Sequence, residues 1–352
     1  MNLLRLGIPL LFLTLIACSD GNDNGSSSGA DAPRPQLELA FTEPPIDLPG
    51  IVASYSADVR YGDAERNVLD IYLPDSDGPT PLVIYFHGGA YVQGDKNKDN
   101  DIIAGDIRAF LEAGIAFATI NYSFINTDPP YDDEGVIKPL LDSARALQFL
   151  RYHHQSLNLD PEQVASYGIS AGASTSLWLG THDDLADPEN ADPVLRESSR
   201  LKAVGALYTQ GTLNFLRWQE ILAPVVGNYF PSDTSLLTVA AALGAEPLLF
   251  AATGTDSLEE LEAPEKLPYM ENIDVIGLMD AGDAPIYAYN NSNIFAGELL
   301  NLFLHHALHV IAIFERAQEV GLENVMYAID PQFPLEDPSG EDHISFLKRH
   351  IQ

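Results

Sequence analysis

From about residue 36 onwards, short apolar runs alternate with amphipathic stretches. The runs at 81–86 (PLVIYF), 117–124 (FATINYSF) and 164–170 (VASYGIS) have the length and composition of strands buried on both faces. AVGALYTQ (203–210), PIYAYNN (285–291) and NVMYAID (324–330) continue the series. Residues 59–74 read as a hairpin turned at Gly62 and Asp63. Between these runs the period changes. Residues 136–151 place Ile137, Leu140, Leu141, Ala144, Leu147 and Leu150 near i, i+3, i+4, i+7 spacing, with Pro139 in the first turn, where its missing N–H costs little. Residues 303–320 set Leu304, Ala307, Leu308, Ile311, Phe314 and Ala317 on one face, which predicts a continuous helix closed by Gly321. Strands alternating with helices predict an α/β fold, a mostly parallel central sheet with helices on both faces. One stretch breaks the rhythm. About 211–284, between the sixth and seventh strands, far exceeds a βα connection and carries Trp218, Tyr229, Phe230, Leu248, Leu249 and Phe250 among short helical patterns. It reads as a helical insertion, either a lid or pocket wall beside the strand ends or a packed surface elaboration.

Charge narrows the partners. The chain has 352 residues, with 18 Lys+Arg against 51 Asp+Glu and a formal net charge of −33. A hydrophobic fraction of 46% is too high for a disordered acidic chain. So acidic a surface excludes nucleic acid as a natural partner. It also repels anionic lipid, so contact with a membrane must come from something other than charge. The single cysteine, Cys18, rules out an intrachain disulfide and a four-cysteine zinc site.

Cys18 ends a leader-like segment. Arg5 precedes an apolar run from Gly7 to Ile16, too short to span a bilayer and the right size for a signal-peptide core. Leu15-Ile16-Ala17-Cys18 resembles the lipobox of bacterial lipoproteins, in which the cysteine becomes the acylated first residue. The resemblance implies a signal peptide at 1–17 and lipidation of Cys18. Ser19 rather than Asp after the cysteine points to the outer membrane, facing the periplasm or the cell exterior. Residues 18–35, rich in Gly, Ser, Asn and Asp, form a flexible tether to the α/β domain at 36–352.

Three places carry chemistry. Gly168-Ile169-Ser170-Ala171-Gly172 is a G-x-S-x-G between an apolar strand and a helix start. A sharp turn there lifts a serine hydroxyl above the sheet, so Ser170 is the candidate nucleophile. The amide of Ala171, at a helix N-terminus, favours negative charge. His87-Gly88-Gly89-Ala90-Tyr91 follows the 81–86 strand. Gly88 and Gly89 can turn amides towards a substrate oxygen and complete an oxyanion hole with Ala171. His87 reads as a support for this loop, and His87, Tyr91 and His306 as candidates for contact with substrate. Glu341-Asp342-His343 follows the last strand. In the order nucleophile, acid, histidine, His343 is the candidate general base. His305 and His309 have the i, i+4 spacing of a metal pair, but no third ligand is evident and no metal is assigned.

With LDIYLP (69–74), HGGAYVQGDK (87–96), Asp142 and GISAGAS (168–174) in this order, the chain resembles the alpha/beta-hydrolase carboxylesterases of the hormone-sensitive-lipase and feruloyl-esterase-like type over roughly residues 55–352, the insertion excepted. The resemblance implies hydrolysis of small-molecule or lipid-like carboxylic esters through a Ser170 acyl-enzyme, with no cofactor. It also implies an acid soon after the seventh strand. Here that place reads Tyr289-Asn290-Asn291-Ser292-Asn293, and Asp283 lies before the strand. Glu298 is the nearest acid beyond and is named as the third member. An asparagine orienting the histidine, or an incomplete triad, are the other options. Two rivals stand beside the esterase: a peptidase or amidase on the same fold, and a catalytically weak lipoprotein that binds a ligand through the insertion.

Overall fold

The period-two alternation of each central strand decides the layers. In a computed structural model, which describes residues 34–231, 233–295 and 297–352, ten strands form one sheet. The strands are β1 (Phe41–Thr42), β2 (Ala53–Arg60), β3 (Val68–Pro74), β4 (Thr80–Phe86), β5 (Ala116–Ile120), β6 (Leu159–Ile169), β7 (Val204–Leu207), β8 (Ile286–Asn291), β9 (Asn324–Ile329) and β10 (Leu335–Glu336). Their spatial order is β1-β2-β3-β5-β4-β6-β7-β8-β9-β10. The centre, from β5 through β4 to β9, is parallel, and both edges are antiparallel. The hairpin expected at 59–74 is the β2–β3 pair.

Leu82, Ile84 and Phe86 of β4 join Val164 of β6 and Ile286 of β8 on one face, under the helices Ile137–Tyr152, Ala171–Thr181 and Ala307–Val320. Val83 and Tyr85 join Tyr167 and Tyr287 on the other, under Asn100–Glu112 and His343–Ile351. Each large apolar side chain buried this way contributes about 1.5–3 kcal/mol, so burial on both faces holds the strand ends rigidly. Between β7 and β8 lies the long insertion, a chain of short helices from Phe215 to Leu278. The added edge strand β1 is why this gap, expected between the sixth and seventh strands, falls between the seventh and eighth.

The structure corrects one element. The helix expected over 303–320 is two helices, Leu299–Leu304 and Ala307–Val320. His305 (φ −126°, ψ 23°) and His306 (φ −61°, ψ 145°) form the break. His306 accepts the Leu308 amide on its own Nδ1, so a side chain replaces the helical carbonyl partner that the break removes. Among the described residues no helix is long and apolar enough to cross a membrane.

Candidate active site

The turn from β6 into the helix Ala171–Thr181 allows only glycine at two places. A Cβ on Gly168 would stand 2.3 Å from the Gly172 carbonyl carbon, and one on Gly172 would stand 2.0 Å from the Phe86 carbonyl oxygen. These contacts draw the turn against the end of β4. Ser170 is forced to φ 56°, ψ −119°, outside the regions L-residues ordinarily occupy. Such a backbone costs on the order of 1–3 kcal/mol and persists because the sheet on either side holds it. Its amide donates to Leu207 O at 2.9 Å, which fixes the turn to β7 and leaves the hydroxyl clear.

The partner of that hydroxyl is His305. Ser170 Oγ lies 2.9 Å from His305 Nε2, and His305 Nδ1 lies 3.0 Å from the Asn301 carbonyl. A carbonyl only accepts, so the proton sits on Nδ1 and the Nε2 lone pair faces the serine hydroxyl. The ring stacks on Phe295 at 4.7 Å between centroids. Burial pushes the His305 pKa down to about 4, so the imidazole is neutral near pH 7 and ready to accept a proton.

Around this pair the backbone is braced. Gln210 accepts from the Ser174 hydroxyl at 2.8 Å and donates to Leu304 O at 3.0 Å, tying the nucleophile's helix to the residue before His305. Asn290, fully buried at the end of β8, accepts the Thr209 amide at 2.7 Å and donates to His306 O at 3.0 Å. Asn290 thus orients the histidine segment through the backbone and touches neither ring nitrogen of His305.

Gly88 lies against the turn, for its Cβ would meet Ser170 Cβ at 3.3 Å. The amides of Gly88, Gly89 and Ala171 donate to no backbone carbonyl among the described residues. Gly89, Ala90 and Tyr91 all take positive φ, which curls the loop back on itself. Tyr91 is buried, donates to Ala171 O at 2.8 Å and lines the small cavity at Ser170.

Other expected residues stand elsewhere. His343 begins the last helix on the opposite face of the sheet, its Nε2 2.9 Å from Asp106 and its ring beside Tyr167 and Tyr287. The helix that covers that face carries it away from Ser170. Glu298 is exposed and holds the Asn301 amide at 2.7 Å, so no histidine has it as a partner. His87 is sealed beneath its loop, donating from Nδ1 to Gly88 O at 2.7 Å and stacking on Tyr122 at 4.4 Å, so it supports the loop and is out of reach of a substrate. His306 faces Asp330 at 3.6 Å and lines a separate cavity with Asn228 and Gln332. His309 bonds Phe303 O and packs on Trp218, on the far side of the helix break, so it does not converge with His305. Cys18 and the leader lie outside the described residues.

Residues 69–239, just under half the chain, match the BD-FAE family model. A probable isoprenylcysteine alpha-carbonyl methylesterase of Arabidopsis thaliana is 30% identical over 146 residues, 41% of this chain and 29% of that protein. A probable carboxylic ester hydrolase, LipM, of Mycobacterium tuberculosis is 30% identical over 199 residues, 53% of this chain and 42% of that protein. The chain thus spans less than half the length of either relative. A truncated carbohydrate esterase from gut microbiota superposes with a TM-score of 0.54 at 16% identity, over 90% of this chain and 98% of that one. The fold is that of the α/β hydrolases.

Proposed function

We propose that this chain is a serine carboxylesterase working through a Ser170 acyl-enzyme. The observation that carries the reading is the 2.9 Å contact of Ser170 Oγ with a neutral His305 whose other nitrogen is held by Asn301 O. As Oγ attacks the ester carbonyl, its proton passes to His305 Nε2. The carbonyl oxygen becomes an oxyanion and takes the amides of Gly88, Gly89 and Ala171. One such donor is typically worth about 2.7–4 kcal/mol of barrier. The imidazolium then gives its proton to the departing alkoxide, which leaves as the alcohol. Water, deprotonated by the same Nε2, attacks the acyl-enzyme, and the imidazolium returns that proton to Ser170 Oγ as the acid is released. Asn301 O fixes the tautomer that a carboxylate fixes in a full triad, and it supplies only a dipole to the imidazolium.

Ser170→Ala and His305→Gln are each expected to cut hydrolysis of p-nitrophenyl butyrate by on the order of 10⁴-fold or more. His343→Asn, on the other face, is expected to keep turnover. Loss of activity in folded His343→Asn with retention in His305→Gln would overturn the assignment of the base. Ester relatives and the pairing at Ser170 both support the esterase reading over a non-catalytic binding role.

The proposal extends to location. The apolar run before Cys18 and the polar residues after it support an acylated cysteine, with the enzyme tethered to the outer membrane. Cells fed a radiolabelled fatty acid are expected to label the wild-type chain and not Cys18→Ser. Equal labelling of both removes this part of the reading.

A further inference from the structure

Two cavities meet behind Ser170. The one that touches Ser170 and Ala171 has a volume of only about 40 Å³. This is little more than the space of one water, roughly 30 Å³, and suits an acetyl methyl or not much more. Beyond it, within the insertion, lies a second cavity of about 310 Å³, which reaches the size range of small-molecule pockets. Phe215, Trp218, Leu248 and Leu304 line both, so these four side chains stand as the partition between them. The larger space is walled by aliphatic and aromatic groups such as Val239, Leu249 and Phe303, and its polar linings among the described residues are Gln219, Ser235 and Glu262. Gln219 already spends its carbonyl on the Leu236 amide. Ser235 is engaged with Thr238, so few polar groups remain to pair with the several hydroxyls of a sugar, and burying those unpaired would be costly. An alkyl chain has no such demand.

We propose that the insertion is an acyl-chain binding site, and that it makes this enzyme selective for esters of medium-chain, unbranched fatty acids. This rests on the esterase reading above and adds the substrate class. The acyl group is the natural occupant because it stays bonded to Ser170 Oγ through both half-reactions, while the alcohol must leave. A space that adjoins the nucleophile suits the group that is retained. An acyl chain of acetyl size fills the small cavity and meets the partition. A longer one passes the side chains of Phe215 and Leu248 and gains the apolar walls beyond. Each methylene that enters is worth about a fourfold gain in binding. Leu304 directly precedes His305, so the partition abuts the base, and a chain that occupies the cavity also packs against the residue positioning it.

The test is a series of p-nitrophenyl esters from acetate to palmitate on the wild-type protein. The octanoate is expected to exceed the butyrate in kcat/KM at least about tenfold, given that gain per methylene. Ala240→Phe, which fills the larger cavity, is expected to lower the octanoate-to-butyrate ratio about tenfold or more, and decanoate is expected to inhibit butyrate hydrolysis competitively in the wild type. Should Ala240→Phe fail to fold, the decanoate inhibition decides the matter. A butyrate-active enzyme whose rate declines steadily beyond butyrate overturns this inference and leaves the esterase reading standing. So does a gain with octyl acetate over ethyl acetate that acyl lengthening does not reproduce, since it assigns the cavity to the alcohol. No Ser170-dependent hydrolysis of any ester overturns both.

Discussion

Among the described residues His305 has no charged partner, and its pKa is set by burial and by a carbonyl. Desolvation lowers its pKa to about 4, and the bond to Asn301 O only partly opposes this. A base works when neutral, so activity is fully present above that value and is lost as pH falls through it. The kcat/KM profile, which reports free-enzyme groups, is therefore expected to stay flat from neutral pH down to about 5 and to fall with a midpoint near 4. Circular dichroism at each pH separates titration from unfolding. A midpoint near 6.5, the ordinary histidine value, would show that Ser170 faces a solvated imidazole instead. In the proposed mechanism no carboxylate stabilises the imidazolium, so the transition state would lean on the oxyanion amides. Gly88 lies directly against Ser170, and the His87–Tyr122 stack supports its loop from beneath.

At the scale of elements, what was legible in the sequence was what is local. The runs at 81–86 and 164–170 are strands because burial on both faces demands continuous apolar residues, and the serine turn announced itself through glycines that no other residue can replace. The partner histidine was illegible for a physical reason. Apolar positions continue in helical register from Leu304 through Ala317, with no glycine or proline to signal a break. The break at His305–His306 is imposed from outside, by Gln210 on Leu304 O, Asn290 on His306 O and Ser292 on the Ala307 amide. These bonds come from residues distant in the chain, and periodicity does not record them. A weaker signal was present: the segment after β8 has no acid where one is expected but holds histidines, and the segment after β9 opens with Asp330 where a histidine is expected. The two segments have exchanged residue types. Asp330 meets His306 and not His305, so the exchange does not rebuild a charged triad.

The whole molecule carries a net charge of −33. Its 18 Lys and Arg can neutralise only a minority of its 51 acids. Several of the cations are already committed, Lys96 to Asp58 and Asp70, Arg349 to Glu323 and Glu341. The remaining carboxylates repel one another across the surface, and the folded state, which brings them together, bears more of that repulsion than the unfolded chain. Screening decides how much. The Debye length is about 30 Å at 0.01 M salt, comparable to the domain itself, and about 3 Å at 1 M, shorter than most distances between surface carboxylates. Raising sodium chloride across that range is therefore expected to raise the melting temperature, with most of the gain below about 0.15 M, where the screening length has already fallen to about 8 Å. Sodium chloride is the right probe because sulfate would also strengthen apolar burial and blur the cause. A melting temperature that does not change with salt would mean that the acids are spaced or paired well enough for their repulsion to be negligible.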